Sequence, residues 1–297
     1  MTETHPTLNR SGRVLIFGGT YGNLQAVQRL FDVADDLGLA PDHMICSGDT
    51  VAYCAQPQEC VDLLRDRGVF SIMGNCEESL GGDADDCGCG FADGSLCDRL
   101  SRQWYDFCRR HLTPETKAWM AGLPRQALIE MAGRRLLLVH GAPGAISRFV
   151  FPSTPWAEKQ AFFDAGLDAG VLDGIIGGHS GLPFAQLVAD RLWLNSGALG
   201  MPANDGTPRG WYALLEETPQ GLAVSLRGLA YDHEGAAAAM LTKELKTGYA
   251  DCLRSGLWPS LDVLPAAERA ARGRAIEESY LLWPPAVPSS ATNAVAF

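Results

Sequence analysis

Four apolar runs in this chain each break at a glycine and deliver a polar, metal-competent side chain at the break. Met44-Ile45-Cys46-Ser47 runs into Gly48-Asp49, and Val69-Phe70-Ser71-Ile72-Met73 into Gly74-Asn75. Leu136-Leu137-Leu138-Val139 runs into His140-Gly141, and Gly174-Ile175-Ile176 into Gly178-His179. Short apolar runs bounded by glycine read as buried strands. Strand ends of an α/β sheet are where ligands bind, so Asp49, Asn75, His140 and His179 can converge. Together they offer oxygen and imidazole donors, a mix that suits Mn, Fe, Zn or Ni better than Ca. One divalent transition metal is the expected cofactor.

Gly19-Thr20-Tyr21-Gly22-Asn23 precedes the helical stretch Leu24-Gln25-Ala26-Val27, and Gly48-Asp49 continues as Thr50-Val51-Ala52-Tyr53. Gly74-Asn75-Cys76-Glu77, Val139-His140-Gly141-Ala142-Pro143 and Gly178-His179-Ser180-Gly181 follow in order, and Asn195-Ser196-Gly197-Ala198 opens a strand-loop-strand stretch running to Leu215. Six such segments in this order resemble the calcineurin-like metallophosphoesterases, over roughly residues 13 to 243. The resemblance implies an α/β fold, a four-layer α-β-β-α sandwich of two mixed sheets. Here it carries a cysteine-containing loop and helix as a cap insert. The domain is expected at 11–248, with the insert at about 78–122, an appendage at 249–283 and a disordered tail at 284–297.

The departures from the family pattern fall on one side of the site. The family's first metal takes an Asp and a His from the first motif and the last His of the fifth. Gly19, Tyr21 and Gly181 stand in those places. The second-metal ligands, Asp49, Asn75, His140 and His179, are all present. The family's histidine that assists the leaving group is replaced by Cys76. The expected activity is metal-dependent hydrolysis of a phosphoester in a small soluble substrate through one retained metal site. The alternative is an inactive metal- or oxyanion-binding, redox-sensing protein on the same fold.

A single divalent ion can still polarise a phosphoryl oxygen. Without a second ion, a cationic side chain is wanted, and Arg148 is the candidate phosphate clamp because a guanidinium binds two oxygens at once. Tyr21 is the candidate to fill the vacated first-metal pocket, with its hydroxyl near the substrate. Cys76 is the candidate thiol in the acid histidine's place. Asp205 and Arg209 read as loop hydrogen-bonding groups.

Asp83-Ala84-Asp85-Asp86-Cys87-Gly88-Cys89-Gly90-Phe91 and Cys97 make an acidic, glycine-rich loop after Glu77. With Cys76, Cys87, Cys89 and Cys97 form a candidate second soft-metal site or a reactive thiol group, with simple packing as the third option. The spacing is not C-x-x-C, so a zinc ribbon is not indicated.

The chain of 297 residues has a formal net charge of −11 and no basic patch, which argues against nucleic acid as a partner. No apolar run reaches a membrane-spanning length, and Met1 to Arg10 lacks a signal core. Nine cysteines without a signal segment suggest a reducing cytoplasm. The expected partner is a small phosphoester or oxyanion, and homo-oligomerisation stays open. Helices are expected at 24–37, 57–67, 96–112, 157–165 and 232–246, with another opening at Thr113. Strands are expected at 126–130, 134–140, 184–188, 192–194, 211–216 and 223–229.

Overall fold

The computed structural model describes residues 5–165, 170–245 and 248–285. Two six-stranded mixed sheets form its centre. The first contains β1 (Thr7–Asn9), β5 (Gln126–Met131), β6 (Arg134–Val139), β7 (Gly174–Gly177), β9 (Arg191–Ser196) and β8 (Pro183–Val188), in that spatial order. The second contains β12 (Ser279–Trp283), β11 (Gly221–Leu229), β10 (Gly210–Thr218), β2 (Arg13–Phe17), β3 (Met44–Cys46) and β4 (Phe70–Ser71). The strands that carry the four motifs run parallel within each sheet: β2 with β3, β3 with β4, and β6 with β7. Their C-terminal ends therefore open at one edge of the sandwich, which is what brings the four loops together.

Alternation along β2 sets the layers. Val14 and Ile16 point between the sheets, where they meet Ile45, Ile72, Ile129, Leu136, Leu138 and Ile176. Leu15 and Phe17 point outward onto α1 (Leu24–Asp36), against Val27, Leu30 and Phe31. The stripe predicted for this helix is its buried face, and the Asn23 side chain caps it by accepting from Ala26 N–H. On the far side, Leu137, Ile175 and Trp193 pack against Phe163 of α6 (Trp156–Ala165). Each large apolar side chain so buried contributes about 1.5–3 kcal/mol. The result is the expected four-layer sandwich.

α2 (Pro57–Asp66) starts at its proline, and α5 (Pro114–Ala121) is capped by Thr113, as the sequence predicts. α4 (Leu96–His111) buries Trp104, Tyr105 and Phe107 in a separate cap cluster with Met120, Ala237, Met240 and Leu253. These aromatics are packing groups. α7 (His233–Thr242) stops short of the predicted end, and Lys246 and the tail from residue 286 lie outside the described residues.

The structure adds elements for which the sequence reading gives no helix or strand. α3 (Asn75–Gly81) begins at a candidate ligand. Beyond residue 248 lie α8 (Tyr249–Ser255), α9 (Ala266–Ala270) and β12, which pairs antiparallel with β11 and buries Trp283. Asp205 helps hold this segment to the body. Buried, it accepts hydrogen bonds from Ile276 N–H at 3.0 Å and from Thr207, and pairs with Arg209. Among the described residues no helix is long and apolar enough to cross a membrane.

Candidate metal centre

Asp49, Asn75, His140 and His179 arrive from four loops at the open ends of β3, β4, β6 and β7. Asp49 and His179 both hold left-handed backbone conformations, with φ of 56° and 57°. Such a conformation costs roughly 1–3 kcal/mol for a residue with a side chain and persists where surrounding structure enforces it, often at functional sites. Gly48 enforces part of it. At φ 95°, a Cβ there would stand 2.6 Å from Gly74 N and 2.9 Å from His140 Nδ1, so only glycine lets the loops approach.

The polar atoms face one another. His140 Nε2 lies 3.2 Å from Asp49 Oδ2, 3.1 Å from Asn75 Oδ1 and 3.2 Å from His179 Nδ1. His140 Nδ1 sits 2.7 Å from the Ser47 carbonyl, which can only accept. The proton is therefore assigned to Nδ1, and the Nε2 lone pair turns inward. Asn75 Nδ2 donates to the Cys87 carbonyl at 2.9 Å, which turns Oδ1 inward too. Asp49 Oδ1 is held by Cys76 N–H at 3.1 Å, leaving Oδ2 for the centre. Acceptors crowded in this way are held together by a proton on His140 Nε2 shared with Asp49 or by a metal cation between them.

The spacing fits a metal. With bonds of about 2.0–2.2 Å, ligands at right angles around one ion stand about 3 Å apart. Asp49, His140 and His179 form a group whose ligand atoms lie within 4.8 Å of one another, and Asn75 Oδ1 joins them through His140. The second turn of the sequence around the site supplies outer support. Glu77 is fully buried and accepts from Asp49 N–H at 2.8 Å, Thr50 N–H at 2.6 Å and Gly74 N–H at 2.8 Å. One carboxylate thus ties the Asp49 loop to the first turn of α3. The sequence reading assigns Glu77 no role, although its place three residues after Gly74 is a capping signal.

A model of the family described as calcineurin-like phosphoesterase matches residues 5–212. The chain belongs to that family. An uncharacterized protein of Methanocaldococcus jannaschii is 24% identical over 232 residues, covering 69% of this chain and 82% of its own length. A metallophosphoesterase of Sphaerobacter thermophilus superposes with a TM-score of 0.63 at 22% identity, over 84% of this chain and all of its own. A hypothetical protein of Pyrococcus horikoshii gives 0.68 at 15% identity, over 82% and 98%. Identities this low speak for the shared fold. Membership in the calcineurin-like phosphoesterase family places the chain among enzymes of phosphoester hydrolysis that use divalent metal.

Aromatic side chains lie against Gly19 and Gly181, two of the positions where the sequence departs from the family pattern. Tyr21, left-handed at φ 55°, lays its ring over Gly19, where a Cβ would stand 2.7 Å from the ring. Burial first, then the Asp49 charge, pushes the Tyr21 hydroxyl well above its ordinary range, so it remains a protonated phenol. At Gly181 the nearest group is the Trp258 indole, 3.5 Å from where a Cβ would be.

The structure does not bring Arg148 to the cluster. It is exposed and ion-paired with Glu158 on the surface. Cys76 is buried beside Asp49, and burial raises its thiol well above the usual range, leaving it neutral. Cys87 and Cys89 are joined by a disulfide beside Asn75, with Cys89 Sγ 3.3 Å from Asn75 Nδ2. Cys97 sits on α4 and faces Ser260 and the backbone of Asp262 and Val263. The four cysteines named from sequence therefore divide: three surround Asn75 and the fourth stands apart.

Burial lowers His140, but the Asp49 charge and hydrogen bond outweigh it, and the imidazole ends above its ordinary value. Burial raises Asp49, and the His140 charge and hydrogen bond pull it below the usual carboxylate range. Burial and then His140 push His179 down to about 3. A raised His140 competes with metal for its own lone pair. Metal affinity should fall as pH drops through the His140 value, from above its ordinary 6.5, while His179 stays available. Mn titrations between pH 5 and 9 should show a tenfold weaker affinity per unit below that point; a flat profile would remove His140 as a ligand.

Proposed function

We propose that this chain hydrolyses a small phosphoester with one divalent metal held by Asp49, Asn75, His140 and His179. The observation that carries this reading is the set of inward lone pairs around His140 Nε2. When bound there, a divalent cation supplies Lewis acidity to a phosphoryl oxygen. The protein's own part is to fix four donors, exclude water behind them through Glu77 and Cys76, and present the open side toward Tyr21 and His179. With no cation from Arg148 at the centre, a substrate with an activated leaving group or a singly charged diester is favoured over a dianionic monoester. Elemental analysis of protein loaded with Mn and desalted should give about one equivalent per chain in wild type and none in His179→Ala. Absence of metal in wild type after loading would overturn the reading.

The Cys87–Cys89 bond favours a second, regulatory reading of the same centre. The Cys87 carbonyl orients Asn75, so the loop's redox state acts on a ligand through one hydrogen bond. Reduction by a phosphine, two electrons and two protons giving two thiols, frees that loop. Loss of an outer-shell partner weakens metal binding by roughly 10–100-fold. Mn affinity measured with and without the reductant should differ in wild type and be equal in the Cys87→Ser, Cys89→Ser double variant. Equal affinity in wild type would dismiss the switch.

A further inference from the structure

A pocket of about 70 Å³ opens beside His179, between Tyr21 and Gly181. Tyr21, Tyr53, Phe91, Phe149 and Trp258 supply its aromatic walls. Among the described residues, none that lines it is a lysine, arginine, aspartate or glutamate. An anion placed there would be desolvated without a partner. Ligand pockets generally enclose roughly 300–1,000 Å³, and a cavity of about 150 Å³ holds benzene, so this one grips the edge and one face of a ring that stays partly outside it.

The walls are fixed before any ligand arrives. Tyr53 meets Tyr21 edge-on at 4.8 Å between ring centres and Tyr249 at 4.4 Å. Phe149 lies 4.2 Å from the His179 ring. Trp258 packs on Gly181 and donates its indole N–H to the Pro202 carbonyl at 2.7 Å. Tyr53, Phe91, Phe149 and Trp258 are only partly buried, as the walls of an accessible pocket must be. Tyr21 and, from the segment after residue 248, Trp258 thus lie against Gly19 and Gly181 and present π-faces to the pocket.

We propose that this pocket takes a planar aromatic group of the substrate, seated among Phe91, Tyr53 and Trp258, with the phosphoryl group directed to His179. The assignment of the phosphoryl end rests on the phosphoester reading above; binding of the aromatic group does not. Two sources share the required chemistry, a nucleobase and a simple aryl ring, and they are separable. Flat rings stacked on aromatic side chains lose binding when the side chain is truncated.

The test is calorimetric titration of the full chain, stripped of metal with EDTA, with adenosine and with 4-nitrophenol. Binding of at least one is expected, weakened about tenfold in Trp258→Ala and in Phe91→Ala and largely kept in Trp258→Phe. Preference for adenosine would assign the pocket to a nucleobase, and preference for 4-nitrophenol to a simple aryl ester. Failure of both compounds to bind wild type at millimolar concentration would overturn the proposal, as would wild-type affinity in Phe91→Ala and in folded Trp258→Ala. Turnover of bis(4-nitrophenyl) phosphate by Mn-loaded protein is measured alongside. Aromatic binding without any turnover would defeat the hydrolytic reading and leave the pocket standing; turnover with no aromatic binding would do the reverse.

Discussion

Asp49→Asn should abolish metal retention and reduce phosphodiester turnover on the order of a hundredfold or more. Loss of an outer-shell partner alone typically costs roughly 10–100-fold, and Asp49 is the only anionic one of the four proposed ligands. Asparagine keeps the size of the side chain and tolerates the left-handed backbone at φ 56° better than alanine would. It can still accept from Cys76 N–H. What it loses is the negative charge beside His140, so the imidazole falls back from its raised value. Folding should be kept because the Glu77 network binds Asp49 through its backbone N–H, not its carboxylate. Metal content, turnover and melting temperature measured on one preparation decide the matter. Undiminished turnover with full metal content would exclude Asp49 from the centre.

The four candidate ligand positions are legible in the sequence because each is a local event. An apolar run ends, a glycine turns the chain, and one polar residue stands at the turn. The same locality makes α1, α2 and α5 readable, since their stripe, proline and threonine cap all lie within a few residues. Arg148 illustrates the limit. Its distance along the chain from His140 is short, but the turn at Ala142–Ala145 sends it to the surface and to Glu158. Trp258 illustrates the opposite case, a residue remote in sequence that closes on Gly181. β12 pairs with β11 from a segment whose mostly exposed side chains give no strong periodic signal. The Cys87–Cys89 pair is visible as spacing, whereas its position over Asn75 depends on α3, whose glycine-bounded, acidic sequence hides a helix.

Glu77→Ala should be the most destabilising change near the centre, by about 3 kcal/mol, lowering the melting temperature by roughly 6–10 °C. Three backbone N–H groups converge on this carboxylate, and truncation leaves all three buried without an acceptor. Each orphaned donor costs about 1–3 kcal/mol, and the relief of a buried charge offsets part of the total. That relief is real: burial first, and then the nearby Asp49 charge, raises the Glu77 carboxyl above its usual range. Glu77→Gln separates the two contributions. It removes the charge and keeps one oxygen able to serve Asp49 and Gly74, which share Oε2, while its amide N–H₂ would face the Thr50 donor. An intermediate loss, about half that of alanine, is expected for it. Both variants should also release metal more readily, because the left-handed backbone at Asp49 would lose the acceptor that holds it. A Glu77→Gln protein as stable as wild type would show that the charge costs as much as the Thr50 hydrogen bond contributes. A Glu77→Ala protein as stable as wild type would show that the three donors find water, and that the loop around Asp49 is not built on this carboxylate.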